Sequence, residues 1–253
     1  AGNDTAQFTA NSFESLATVI VSDGTLSGSD LADAIDQANT ATTGTGTVFT
    51  ISSASTITGS EADFTALLND ESNNQINIES QNLTLSDPIS VDNANLLGAT
   101  TSGVVSATID SPESISELTT LRSDIGTNNF TIVIGESNAT SSTAAQLNTI
   151  NAATALAVDL TNVTALAGST LADLGTLATA INASQFSNAS GLTTIAVTDT
   201  TIDATTLATR ITSYDAIGGT TDMTLASGAT INVDAGEITA MLADESAGRL
   251  TIG

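Results

Sequence analysis

Between Leu192 and Val197 the chain reads LTTIAV, with apolar and polar positions alternating at a period of two and β-branched residues prominent. That is the pattern of a short strand with one buried face. A second extended stretch follows in TDTTID (198–203). The period then changes. Leu207 and Ile211 stand four residues apart behind Asp203, a residue type that caps helix N-termini, and Gly218-Gly219 closes the run. The pattern predicts strand, strand, helix and return, with Leu207 and Ile211 in the core.

The same order recurs elsewhere. Asp234 and Glu237 have capping-box spacing ahead of Ile238, Met241 and Leu242. Ser111-Pro112-Glu113 predicts a helix start with proline in its first turn, followed by Ile115, Leu118, Leu121 and Ile125 on one face. Leu31, Ala34, Ile35 and Ala38 form an apolar stripe between VIVSDG and TVFTI. Leu118, Leu121, Leu174 and Leu177 join Leu207 and Ile211 as predicted buried positions on helix faces turned to a sheet. The segment 76–103, with Pro88 and a short VDNANLLG, carries the weakest version. The segment from Ala155 is the longest and predicts an inserted loop around QFSNASG.

These units are copies of one another. STITGSEADFTALLNDESNNQINI (55–78) aligns without a gap on ATINVDAGEITAMLADESAGRLTI (229–252), an offset of 174 residues, with Thr56/Thr230, Ile57/Ile231, Leu68/Leu242, Asp70/Asp244, Glu71/Glu245 and Ile78/Ile252 identical. β-like runs begin near Val48, Ile76, Val104, Phe130, Ala155, Leu192, Met223 and Leu250, spaced about 29 residues apart on average, so 174 residues is six such steps. A strand-strand-helix unit of that size cannot bury its apolar face alone, and stacked neighbours supply the missing partners. The expected fold class is therefore α/β: a parallel-strand, β-helix-like solenoid with short helices, about eight coils of ~29 residues. Strands are expected near 76–78, 131–134, 193–197 and 250–252. The expected organisation is a single elongated domain over 1–253, with 1–47 as an N-terminal cap or assembly segment and 48–253 as the repeat body. Two separate α/β domains are the alternative. A dinucleotide-binding fold is disfavoured, because no G-x-G-x-x-G follows a strand.

Composition narrows the function. The 253 residues contain no Trp, one Tyr and six Phe, so Ile, Leu, Val and Ala must fill the interior, which suits thin repeating layers. Twenty-eight acidic residues face three basic ones, Arg122, Arg210 and Arg249, for a net charge of −25. No basic patch can form, which argues against nucleic acid and anionic membrane as partners. Such a surface repels itself unless salt or divalent cations screen it, as seawater would. With no Cys, neither disulfides nor thiolate metal sites can form, and no apolar run approaches the ~20 residues that span a bilayer. Cysteine-free, base-poor composition favours an extracellular location over a cytoplasmic one.

The run IAVTDTTIDATTL (195–207) resembles repeats in large secreted surface proteins of marine cyanobacteria and other aquatic bacteria, which often include hemolysin-type calcium-binding modules. LADAIDQANTATTGTGTVFTI (31–51) is similar to the opening helix and strand of bacterial right-handed β-helix surface proteins, although those carry Arg-Glu where this chain has Ala32-Asp33. Both resemblances imply secretion, cell-surface architecture and calcium dependence. Neither implies catalysis.

Without His, Cys or Lys, charge-relay triads, thiol chemistry and Schiff bases are unavailable. The paired carboxylates Asp70/Glu71, Asp110/Glu113 and Asp244/Glu245 would suit glycoside hydrolysis, but adjacent acids are more often solvated surface, and sugar-stacking aromatics are scarce. No enzyme is expected. Calcium is the cofactor that abundant oxygen ligands would admit, yet no EF-hand loop or G-G-x-G-x-D nonapeptide occurs, and Asp92, Asp203 and Asp234 read as caps. Seven N-x-S/T sequons, at Asn3, Asn82, Asn129, Asn138, Asn162, Asn182 and Asn188, are mostly a consequence of composition.

The expected function is a structural extracellular protein that stacks head to tail with copies of itself into a filament or surface layer. An adhesin or ligand- or ice-binding module and a carbohydrate-active solenoid enzyme are the alternatives. An ice-binding face would need T-x-T arrays in register, and Thr56-Ile57-Thr58 becomes Thr-Ile-Asn at 230–232. The expected subunit interface joins Leu250, Thr251 and Ile252 to Phe8, Phe13, Val19, Ile20 and Val21 of the next copy. In that arrangement the N-terminal stretch continues the preceding subunit's coil, and the contact propagates rather than closing on itself.

Overall fold

The computed structural model describes residues 18–22, 24–41, 47–52, 55–110, 113–123, 128–219 and 221–252. The chain is α/β, with parallel-strand sheets and, among the described residues, eight α-helices. Two compact units are present, one drawn from Ala1–Thr108 and Asp124–Phe130, the other from Ile109–Ser123 and Thr131–Gly253.

In the first unit the order is β1 (Thr18–Val21), β2 (Thr25–Ser27), α1 (Gly28–Ala41), β3 (Val48–Ile51), β4 (Thr56–Gly59), α2 (Glu61–Ser72), β5 (Ile76–Asn77), β6 (Asn82–Leu85), α3 (Val91–Thr100) and β7 (Val105–Thr108). One sheet has the order β1-β3-β5, and a second runs β2-β4-β6-β7 and on to β8 (Asn129–Thr131). Each ladder of defined register is parallel: Val19 faces Phe49 and Phe49 faces Ile76, while Leu26, Ile57 and Leu83 form a buried row in the other sheet that continues to Val105. Strand, strand, helix is thus the repeating order, as the alternation and the 3.6-residue period predict.

The second unit opens with α4 (Ile115–Leu118) and α5 (Ala144–Ala152), then β9 (Val158–Asp159), β10 (Ala165–Ser169), α6 (Leu171–Asn182), β11 (Phe186–Ser187), β12 (Thr194–Val197), β13 (Thr201–Asp203), α7 (Ala204–Gly218), β14 (Asp222–Leu225), β15 (Thr230–Asn232), α8 (Ala235–Ser246) and β16 (Leu250–Thr251). Its sheets are β10-β12-β14-β16, β9-β11 and β13-β15. Ile195, Met223 and Leu250 make one buried row, and Ile202 is the buried residue of β13. The helices lie side by side, α5 against α6, α6 against α7, and α7 against α8.

Local sequence explains the helix starts. Ser60, Ser90, Thr143, Thr170, Asp203 and Asp234 each accept a backbone N–H of the first turn, satisfying donors that have no partner within the helix. Asp234 and Glu237 form the expected capping box, and Asp203 caps α7 as its position predicts. Gly219, at φ 89° and ψ −133°, takes a positive-φ conformation that favours glycine at the end of α7. All six predicted core positions, Leu118, Leu121, Leu174, Leu177, Leu207 and Ile211, are buried.

Two local expectations change. The helix expected after Ser111-Pro112 is the four-residue α4, capped by Ser114 in a box with Glu117, so Leu121 is buried from a turn rather than from a helix. Residues 111, 112 and 125 lie outside the described residues. The long step from Ala155 to Leu192 is not an insertion. Val158 pairs with Phe186, 28 residues on, and QFSNASG holds β11 and a 3-10 turn at Ala189–Gly191. The apparent 37-residue interval arises because Ala155 precedes one ladder and Leu192 precedes another. Observed register steps run from 22 residues (Leu83 to Val105) to 31 (Thr25 to Thr56).

Polar side chains join successive repeats. Asn128 Oδ1 accepts the Val105 amide at 3.0 Å, Asn138 Oδ1 accepts that of Ile115 at 3.1 Å, and Ser169 Oγ accepts that of Ala144 at 2.9 Å. Thr221 donates to the Leu192 carbonyl at 3.1 Å, and Asp199 accepts the Leu171 amide at 2.7 Å. Where short strands end, backbone groups lose ladder partners, and these side chains replace them.

Candidate functional site

The residues expected at the subunit interface fall at sheet edges. Val19, Ile20 and Val21 lie on β1, the edge of the three-stranded sheet. Val19 and Val21 are half-buried, and Ile20 is 74% exposed. Leu250 and Thr251 form β16, the edge of the four-stranded sheet, where Leu250 is buried against Met223 and Thr251 is exposed. Ile252 follows at 45% exposure. Phe8 and Phe13 lie outside the described residues. β15, paired with β13 alone, is also an edge.

Sequence reasoning placed the adjoining helix but did not count its exposed face among the interface residues. α8 buries only Met241, leaving Ile238 47% and Leu242 57% exposed, with Val233 exposed just before the helix. The 174-residue repeat provides an internal control. In α2 the equivalents of Ile238 and Leu242 are Phe64, which is 1% exposed, and Leu68, which is half-buried; Ile78, the equivalent of Ile252, is fully buried. The α2 face meets α3: Phe64, Thr65 and Leu68 share a small groove with Leu96 and Leu97, and Asn93 donates to Glu61. The same sequence pattern is therefore covered in one place and bare in the other. α8 is held on its opposite side by Arg249, which pairs with Asp215 of α7 at 3.1 Å and with Asp244.

The carboxylate pairs are dispersed in role. Burial, with Asp36 nearby, pushes the Asp70 carboxyl above its usual range. Burial also raises Glu71, whose Oε1 accepts the Ile78 amide at 3.2 Å. Asp244 is taken by Arg249. Asp110 and Glu113 each engage other groups. Among the described residues no three His, Cys, Asp or Glu side chains gather as a metal site, and no helix is long and apolar enough to cross a membrane. Asp159 is partly buried, which raises its carboxyl, but hydrogen bonds from Asn188 and Thr161 outweigh this and lower it.

Several sequon asparagines have structural roles. Asn138 is buried between Ile115 and Glu113, Asn82 accepts the Val104 amide, Asn162 donates to Ile134, and Asn188 donates to Asp159. Asn3 lies outside the described residues.

Compared with known proteins, the chain matches no family model, no curated protein and no solved structure.

Proposed function

We propose that this is a structural protein whose strand-strand-helix coils stack as a parallel-strand solenoid, and whose copies join head to tail into an extracellular filament or surface layer. What supports this is the contrast between α2 and α8. An apolar pattern that is covered within the first unit stands bare in the second, beside the edges of β15 and β16, which have no further strand partner among the described residues. Exposed apolar surface next to open strand edges favours association, because pairing satisfies backbone groups and removes Ile238, Leu242 and Ile252 from water. A contact between α8 with β16 on one copy and β1 on the next is heterologous and propagates. The acidic flanks, at a net charge of −25, oppose lateral clumping and make assembly depend on salt.

Catalysis has little to work with, since His, Cys and Lys are absent and Asp70, Glu71 and Asp244 have structural surroundings. The test is negative-stain microscopy and light scattering of the purified chain at seawater salt, with and without chelator. Polymers are expected, and Ile238→Asp with Leu242→Asp should abolish them. A wild-type chain that stays monomeric across salt and concentration, or a double variant that polymerises like wild type, would refute the reading.

A further inference from the structure

The helix layer of the second unit contains a groove of about 610 Å³ over α6, flanked by α5 and α7. It exists because α6 turns small residues outward between two neighbours with longer ones. Asn148 and Asn151 line one side, Thr176 and Thr179 the floor, and Gln185 and Arg210 the remainder. Its lining carries one charged side chain, and that one is positive. None of its ten lining residues is acidic, and one is among the chain's three arginines.

Arg210 is held in place. Its Nε donates to the Leu171 carbonyl at 3.0 Å, and its guanidinium lies over Gly175, where any Cβ would overlap it. One turn along α7, Tyr214 donates to the Leu174 carbonyl at 3.0 Å and fixes the same pair of helices. Arg249 pairs with two carboxylates, whereas no carboxylate pairs with Arg210 among the described residues. The two terminal nitrogens of Arg210 therefore keep four N–H donors in a fixed planar fork, the geometry that matches a carboxylate with two parallel bonds. Amides and hydroxyls around it suit the hydroxyls of a sugar, and the volume falls in the usual range for small-ligand sites.

We propose that this groove binds a carboxylate-bearing saccharide, with Arg210 holding the uronate carboxylate of an acidic polysaccharide. The overall negative charge does not prevent this at high salt. The screening length shortens to about 3 Å at 1 M, so distant acids lose their influence while a contact pair in a groove keeps most of its own. The inference does not depend on filament formation.

Tyr214 provides the readout, being the sole Tyr in a chain without Trp and one helical turn from Arg210. Glucuronate should change its emission saturably, with a Kd on the order of millimolar, a common strength for one small polar ligand. Glucose at equal ionic strength should have no effect. Arg210→Gln should weaken binding at least about tenfold, the loss expected when a charge-assisted pair is removed. Because that variant also removes the Leu171 contact, Thr176→Glu serves as a second arm, setting a carboxylate in the groove while leaving Arg210 held. That variant should abolish binding. A polyuronate oligomer should bind more tightly than the monomer; equal affinity keeps the carboxylate site and overturns the polysaccharide source. Equal responses to glucuronate and glucose, no saturation, or binding unchanged in both variants overturns the proposal.

Discussion

Single side chains in this protein separate into those the repeat buries and those it leaves at an edge, and substitution should distinguish them. Leu174, Leu177 and Leu207 have no exposed surface, so replacement by alanine removes transfer energy and leaves a cavity. Each should cost roughly 2–5 kcal/mol in urea unfolding followed by Tyr214 emission. Leu242→Ala, at an exposed site, should stay within about 0.5 kcal/mol in the same assay. Equal costs at Leu207 and Leu242 would mean that the α8 face is covered after all.

Asp70 makes a different residue-scale prediction. Its carboxyl, raised by burial and by Asp36, holds a proton more tightly folded than unfolded. Its contribution to stability is therefore greatest below its usual 3.8 and declines as pH rises through the folded value. Asp70→Asn should stabilise the chain at pH 7, with the gain vanishing as pH falls below the usual 3.8. A variant less stable than wild type at pH 7 would point to a carboxylate interaction that burial conceals.

At the scale of elements, helix starts carry most of the local information. Thr170 caps α6 by accepting the Asp173 amide, and Thr170→Ala should cost about 0.5–2 kcal/mol. Thermal unfolding by circular dichroism would measure it, and a change under 0.2 kcal/mol would show that the cap is dispensable. Asp203 caps α7 with its carboxyl held below the usual range by the Thr206 amide. This stabilisation is present above the usual 3.8 and is lost as pH falls through the lowered folded value. Asp203→Asn should therefore flatten the acid limb of the stability profile, opposite in sense to the effect at Asp70. An unchanged acid limb would assign the shift to another group.

At the scale of the whole molecule, the proposed head-to-tail assembly places the strand edges and the α8 face at the joint. Ile20→Lys places a charge on the most exposed apolar side chain of the β1 edge. Edge charges block strand addition, so this variant should fold normally and fail to polymerise in light scattering at seawater salt. A folded Ile20→Lys chain that still forms polymers would remove β1 from the joint.

Much of this was legible from the residues alone, because it depends on local chemistry. The period-two runs place strands, as at Thr194–Val197, and Asp203 and the Asp234/Glu237 pair start helices through bonds made within one turn. Leu118, Leu121, Leu174, Leu177, Leu207 and Ile211 are core by periodicity. What the residues could not decide is which strand joins which ladder. Ala155 and Leu192 look like successive members of one series until the pairing of Val158 with Phe186 separates them. Nor could a pattern shared by α2 and α8 reveal that Phe64 is covered and Ile238 bare, because burial depends on a neighbour distant in the chain. The fork of Arg210 was invisible for the same reason: its place over Gly175 exists only once α6 and α7 lie side by side. Local hydrogen bonding and periodicity are written residue by residue, whereas coverage and register are decided only when the repeats pack.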